Sequence, residues 1–462
     1  MLCKTALWQN IAAYNFDENL AEYGFATRLA SENNWTINFT EEAIVEYKKF
    51  MYLAATANFM VSPSAIIDTV WHQHLIFTQS YNAFCSMLGK RIEHIPATHT
   101  RQEYQKFQQA KINTNNYYKE AFGEQPEIFW NCNDIYEPLH LAKAKYKIRS
   151  LLLWGLLALI VLIFPAYYLL KNLYVQIDNP YFLWLYFTIV VTAFMILGGY
   201  VKQQLTTVVN SWNTDTFILK LLPHELVFLS KQQIVQTIHS CVNSMIEDRK
   251  IDIEADHRLS TGSNRNITTP MELSIMDIIN TNGSIAYRKL YMLAASKPAF
   301  SNISKSLKAF RKYFIKSAFF VRLFTINFCV LAFILLVGLV RIFTGSFRDK
   351  PIAIILIFVI VFFMAMAYYL FKMTYKVAEE IIPQFYKSVI IPLHNKEEKS
   401  QWNYFLFGTA ALSAQFLPIV NYAQNRARTS GDGSTGSGCG SSCGSSCGSS
   451  CGSSCGGCGG GD

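Results

Sequence analysis

The chain has 462 residues, of which 51% are apolar and only 16% charged, whereas about a quarter of a soluble protein is charged. That composition excludes a disordered, collagen-like or ordinary soluble chain. The formal charge of +9, from 41 Lys+Arg against 32 Asp+Glu, is not gathered in one block. It flanks apolar runs, at Lys143, Lys145, Lys147 and Arg149 and again at Lys305, Lys308, Arg311 and Lys312. Basic residues in that position face anionic lipid headgroups on the cytoplasmic side of a membrane. Membrane lipid is therefore an expected partner, and nucleic acid is not.

The fold class expected is mainly α. Residues 1–148 read as a helical domain. The opening stretch lacks the apolar core of a secretory signal, so this domain is expected in the cytoplasm, where thiols stay reduced. Phe39-Thr40-Glu41-Glu42 predicts a helix start, with Thr40 as cap and Phe39 stapled onto Ile44. A second start is expected at Ser62-Pro63. From there Ile67, Val70, Trp71, His74, Phe77, Tyr81, Phe84 and Leu88 recur at helical spacing up to a stop at Gly89. A third helix is expected from about 101 to 122.

Leu151–Leu170 and Tyr181–Tyr200 carry no charged residue. Twenty residues at about 1.5 Å each span about 30 Å of hydrocarbon, so 149–202 predicts a transmembrane hairpin. A second hairpin is expected over 317–372, built from about 324–340 and 351–371. Four spans put both ends on one side, and the basic run 143–149 places that side inside, in a bacterial inner membrane. Between the hairpins, 203–316 reads as a small helical domain. Its helix at 230–247, short strand at 250–254, polar turn or wing at 259–269 and helix from Thr269-Pro270 also fit a winged-helix-like arrangement. Residues 373–428 read as amphipathic helices, with 401–422 lying in the membrane interface. From 429 to 462 a Cys/Gly/Ser repeat predicts a disordered tail.

Four of the nine histidines fall between 72 and 99. Asp68, His72, His74 and His94 form the candidate metal set, since imidazole and carboxylate are common ligands. Helical geometry divides it: Asp68 and His72 share a face at i,i+4, whereas His72 and His74 lie about 200° apart. The competing reading makes Asp68 orient His72 and lets His74 fill an interior site. In the tail, Cys439, Cys443, Cys447, Cys451 and Cys455 recur every four residues and Cys458 closes a CxxC. Thiolates there suit zinc or another soft metal, although a uniform Gly-Ser-Ser spacer builds no single cage. No P-loop or Ser/His/Asp arrangement is evident. A literal GxGxxG at Gly431, Gly433 and Gly436 lies inside the repeat, without a strand before it or a helix after it.

Asp68…Trp71-His72-Gln73-His74…Tyr81…Cys85…Gly89…His94-Ile-Pro96, with Tyr117-Tyr118…Phe122-Gly123-Glu124…Pro126…Trp130, resembles the glycine-rich domain-containing protein family over roughly 30–135. The resemblance implies no activity. Leu222-Pro-His-Glu225-Leu, an amphipathic helix, Pro270-Met-Glu272-Leu, paired spans and the terminal Cys repeat resemble a bacterial membrane-protein family with a Cys/Gly tail, over about 205–462. That resemblance implies a peptide-precursor role for the tail as one option. The expected function is a membrane-anchored interaction or scaffold protein with protein partners. The alternatives are a precursor whose tail is modified or exported, and a metal-dependent enzyme using Asp68, His72, His74 and His94.

Overall fold

The structure, a computed structural model, describes residues 6–17, 21–95, 101–393 and 402–429. The chain is mainly helical, 75% helix and 3% strand, with four helices long and apolar enough to cross a membrane. The six tail cysteines and His99 lie outside the described residues.

The N-terminal unit comprises α1 (Ala6–Ala13), α2 (Phe25–Asn33), α3 (Ile37–Thr56), α4 (Ala65–Ile76), α5 (Thr78–Leu88), α6 (Arg101–Phe122) and α7 (Glu127–Trp130). Along α3, Phe39, Ala43, Tyr47 and Phe50 are buried at helical spacing and meet Ile67, Val70, Trp71 and Phe84 from α4 and α5. The α3 helix starts earlier than its sequence announces, with Thr36 rather than Thr40 as the cap residue. Thr40 instead returns its hydroxyl to the Thr36 carbonyl at 2.8 Å. The helix expected from Ser62 to Gly89 is two helices, broken at Phe77. Its start is capped by Ser64, whose hydroxyl accepts from the Ile67 N–H. Gly89 ends α5 in the left-handed region at φ +71°, where a Cβ is strained.

The first pair of apolar helices is α8 (Ile148–Gln176) and α9 (Asn179–Ser211). The middle unit follows: α10 (Pro223–Lys231), α11 (Ile234–Glu247), β1 (Ile251–Ile253), β2 (Arg258–Thr261), α12 (Pro270–Asn282), β3 (Ser284–Ala286), α13 (Tyr287–Ser296) and α14 (Pro298–Ile315). The strands form an antiparallel sheet in the order β1-β2-β3, with Leu259 opposite both Ile253 and Ile285. The turn or wing expected at 259–269 is thus half wrong. Its first residues are the central strand, because Leu259 is fully buried, and only the remainder is loop.

The second pair is α15 (Ala318–Ser346) and α16 (Ala353–Lys376). The helical path of α16 runs on to Leu393 through π-helical turns at Val377–Ile381 and Tyr386–Ile390. Pro383 and Pro392 each follow one of these turns. A widened turn relieves the clash of a proline ring with the carbonyl one turn back. At the other end of the pair, the entrances of α8 and α15 are stitched together. The Ala144 N–H donates to the Lys316 carbonyl at 2.9 Å and the Ala318 N–H to the Ala142 carbonyl at 2.7 Å. Within the bundle α15 is central: 56% of its most apolar stretch is buried, against 6% for α8.

A Cβ on Gly338 of α15 would lie 2.6 Å from the Tyr186 hydroxyl and 2.8 Å from Val359 Cγ2, so its hydrogen lets α9 and α16 approach closely. Gly338→Leu is expected to destabilise the bundle by about 1–3 kcal/mol. Gly198→Leu, at a position with open space around it, is the control. The thermal midpoint of the detergent-solubilised chain measures both, and equal midpoints would refute the packing role.

Of the 401–422 segment expected in the membrane interface, residues 402–422 are described, and one side of them packs on protein. Trp402, Tyr404, Phe416 and Val420 are buried. The Tyr404 hydroxyl donates to Gln236 Oε1 at 2.8 Å, the Ser413 N–H donates to Asn243 Oδ1 at 2.8 Å, and Phe416 packs edge-on against Tyr287. One aromatic side of the segment finds protein partners on α11 and α13, while Phe407 and Tyr422 stay exposed.

The N-terminal and middle units are joined by several contacts. Lys297 pairs with Glu22 at 2.6 Å and Lys220 with Glu42 at 3.1 Å. Asn38 Nδ2 donates to the Lys220 carbonyl at 3.2 Å, and the buried Glu225 carboxylate accepts from the Ile37 N–H at 2.9 Å and the Leu222 N–H at 3.0 Å.

Candidate metal centre

Asp68 and His72 stand one turn apart on the exposed side of α4. Past Gly89 the chain doubles back as an extended segment, 90–95, which carries His94 to the same place. What holds this segment is a relay of two side chains that ends on its backbone. The Trp71 indole N–H donates to the Tyr81 hydroxyl at 3.2 Å. Tyr81 in turn donates to the Ile92 carbonyl. The Trp71 ring also lies edge-on to the His94 ring, with centroids 4.7 Å apart.

The result is a carboxylate between two imidazoles. His94 Nε2 is 2.9 Å from Asp68 Oδ1, and His72 Nε2 is 3.4 Å from Asp68 Oδ2. The two histidine rings are 4.5 Å apart. Taking one donor atom from each residue, all three lie within 4.8 Å of one another. A tetrahedral ion with bonds of about 2.0–2.2 Å wants donors about 3.3 Å apart, so a small inward rotation of His72 and His94 would complete the set. Without an ion, His94 and Asp68 hydrogen-bond to each other and His72 lies beside them at 3.4 Å. The side chains are 37% (Asp68), 58% (His72) and 19% (His94) exposed, so solvent can reach the site.

His74 stands apart from the other three. It is fully buried, its Nδ1 2.8 Å from the Tyr47 hydroxyl and its Nε2 3.2 Å from Ser80 Oγ. Burial lowers its pKa to about 4, which keeps the ring neutral. Both nitrogens are taken by hydroxyls, so it fills the interior role and supplies no ligand. The i,i+2 spacing on one helix is the reason.

The basic residues expected to meet lipid headgroups divide. Lys143 lies in the bridge to Ser317 beside the first apolar helix. Arg311 is stacked on the Tyr375 ring at 3.8 Å. Lys305 turns to the N-terminal unit, 3.4 Å from Ser31 Oγ.

Sequence reading missed Glu46 and Glu225. Glu46 is almost wholly buried and accepts from the Tyr118 hydroxyl at 2.8 Å, the Trp130 indole N–H at 2.8 Å and Lys49 Nζ at 2.7 Å. Its signal was present, an acid inside the apolar stripe of Ala43, Tyr47 and Phe50. Glu225 left a weaker one, an acid three residues after an N-cap.

A family model described as UCP032817-like matches residues 8–119, a span that contains Asp68, His72 and His94. That family has no assigned activity, and the match does not carry the glycine-rich domain-containing name. No curated protein and no solved structure matches the chain.

Proposed function

We propose that this chain is a multi-pass membrane protein whose extramembrane body holds a divalent transition-metal ion through Asp68, His72 and His94. The observation that carries this reading is the convergence of two imidazoles and one carboxylate from two separate segments, with donor atoms within 4.8 Å. Two histidines and a carboxylate suit zinc or iron(II), and three protein ligands leave a coordination position open, as in catalytic rather than structural sites. The stitched entrances of α8 and α15 support both apolar pairs entering from one side. The basic run 143–149 favours that side being the cytoplasmic face of a bacterial inner membrane. An interaction or scaffold role is the second reading. It is favoured by the packing of the middle unit against both the N-terminal unit and 402–423, and a metal-dependent enzyme is the sharper form of the first.

The test uses the full chain in detergent, its tail thiols blocked with iodoacetamide, stripped with chelator and titrated with cobalt(II), whose visible absorption reports coordination. The expected result is one ion per chain. His94→Ala should weaken binding about 100-fold or more, whereas His74→Gln should leave the stoichiometry unchanged. Uptake by the wild type no better than by His94→Ala would overturn the proposal.

A further inference from the structure

Beside the three ligands lies a cleft of about 840 Å³ between α3, α4, the 90–95 segment and α6, a size typical of small-molecule sites. We infer that it takes a small amphiphilic anion, one carboxylate or phosphate group on an apolar body, with the charged end directed at the ion held by Asp68, His72 and His94. This rests on the metal reading above.

Three features of the cleft carry the inference. The first is position. Asp68 and His94 form part of the cleft wall while His72 does not, so the ion would be reached from the cleft side. The second is charge. Lys90, Arg91, Lys106 and Lys111 line the cleft against two acids, Asp68 and Glu93. A divalent ion makes the excess larger, and a basic concavity concentrates anions. An oxyanion is also a natural further ligand for a zinc or iron(II) ion.

The third is the apolar remainder. Phe50, Trp71 and Ile92 are buried at its floor, while Phe59 and Ile95 are 43% and 61% exposed at its edge. Large side chains left open around a pocket favour an occupant with an apolar body. A bare inorganic anion would leave that lining in water.

The test uses the thiol-blocked, cobalt-loaded full chain in a zwitterionic detergent, with phenyl phosphate and benzoate as probes and inorganic phosphate and acetate as their bare counterparts. Cobalt absorption and titration calorimetry are the readouts. At least one aromatic anion should perturb the cobalt spectrum and bind at least 10-fold tighter than its bare counterpart. Which of the two does so separates a phosphate from a carboxylate ligand. The double substitution Lys90→Gln, Lys106→Gln should take up cobalt as before and lose at least 10-fold in anion affinity. Cobalt uptake with no response to either aromatic anion would overturn the inference and leave the metal reading standing. Equal anion binding by the cobalt-free chain or by the double variant would also overturn it. Failure of the wild type to bind cobalt would remove the metal reading itself, and the inference with it.

Discussion

Replacing Glu46 by Leu is expected to destabilise the N-terminal unit by about 3 kcal/mol, because removing one side of a buried charged network strands its partners. The carboxylate ties α3 to α6 through Tyr118, to α7 through Trp130, and to Lys49 on its own helix. Leu fills the volume but takes the acceptor from the Trp130 indole N–H and the Tyr118 hydroxyl, and it leaves the Lys49 ammonium, 3.1 Å from the Tyr118 oxygen, without its counter-charge. Gln keeps the shape and one acceptor, so Glu46→Gln should cost about 1 kcal/mol. Thermal unfolding of the detergent-solubilised chain, followed by tryptophan fluorescence, reads both, since Trp130 is itself a partner. Equal midpoints for wild type and Glu46→Leu would show that the carboxylate does not hold these helices together. The metal site would be disturbed only indirectly, so Glu46→Gln should bind cobalt like the wild type.

The parts of this fold that sequence announces are those decided by local rules. The four long apolar helices need only composition and length, because a bilayer asks nothing of tertiary structure to make a charge-free twenty-residue run helical. Asp68 and His72 sharing a face, and His74 turning away, follow from 3.6 residues per turn. Local rules stop where one segment supplies what another lacks. His94 enters the candidate set by residue type, but it reaches Asp68 because Tyr81 holds the Ile92 carbonyl, which no spacing rule contains. Phe77 breaks a periodic run whose pattern continues unbroken across it. The start of α3 lies at Ile37 because Glu225, far along the chain, accepts that N–H. A cap borrowed from another unit leaves Thr40 looking like the local solution. The protein contacts of 402–423 are hidden for the same reason: its apolar face is evident, while the surface of α11 and α13 on which part of it packs is not.

Glu225 should also make the junction between the N-terminal and middle units sensitive to pH. Burial is the main cause raising its carboxyl to about 7 from 4.5, against the two backbone N–H groups that favour the anion. The titratable groups that act on it are Glu41, which adds to the rise, and the buried Tyr386 hydroxyl. The folded state holds this proton more tightly than the unfolded one. The stability it contributes is therefore complete below about pH 4.5 and is lost as pH rises through about 7.

His74, His224 and His239 work in the opposite sense. Burial lowers each to about 4 from 6.5, so their contribution is present above about pH 6.5 and is lost as pH falls through 4. The whole chain should thus lose stability at both ends, and the Glu225 share appears only by difference. Glu225→Gln removes the titration while keeping one acceptor oxygen. The hydrogen bond it forfeits costs the same at every pH and drops out of the comparison. Measured against the wild type, the variant should gain on the order of 3 kcal/mol between pH 5 and pH 8, read as the change in the difference of their thermal midpoints. A difference that does not move with pH would mean that Glu225 stays ionised at the junction, held there by the N–H groups of Ile37 and Leu222.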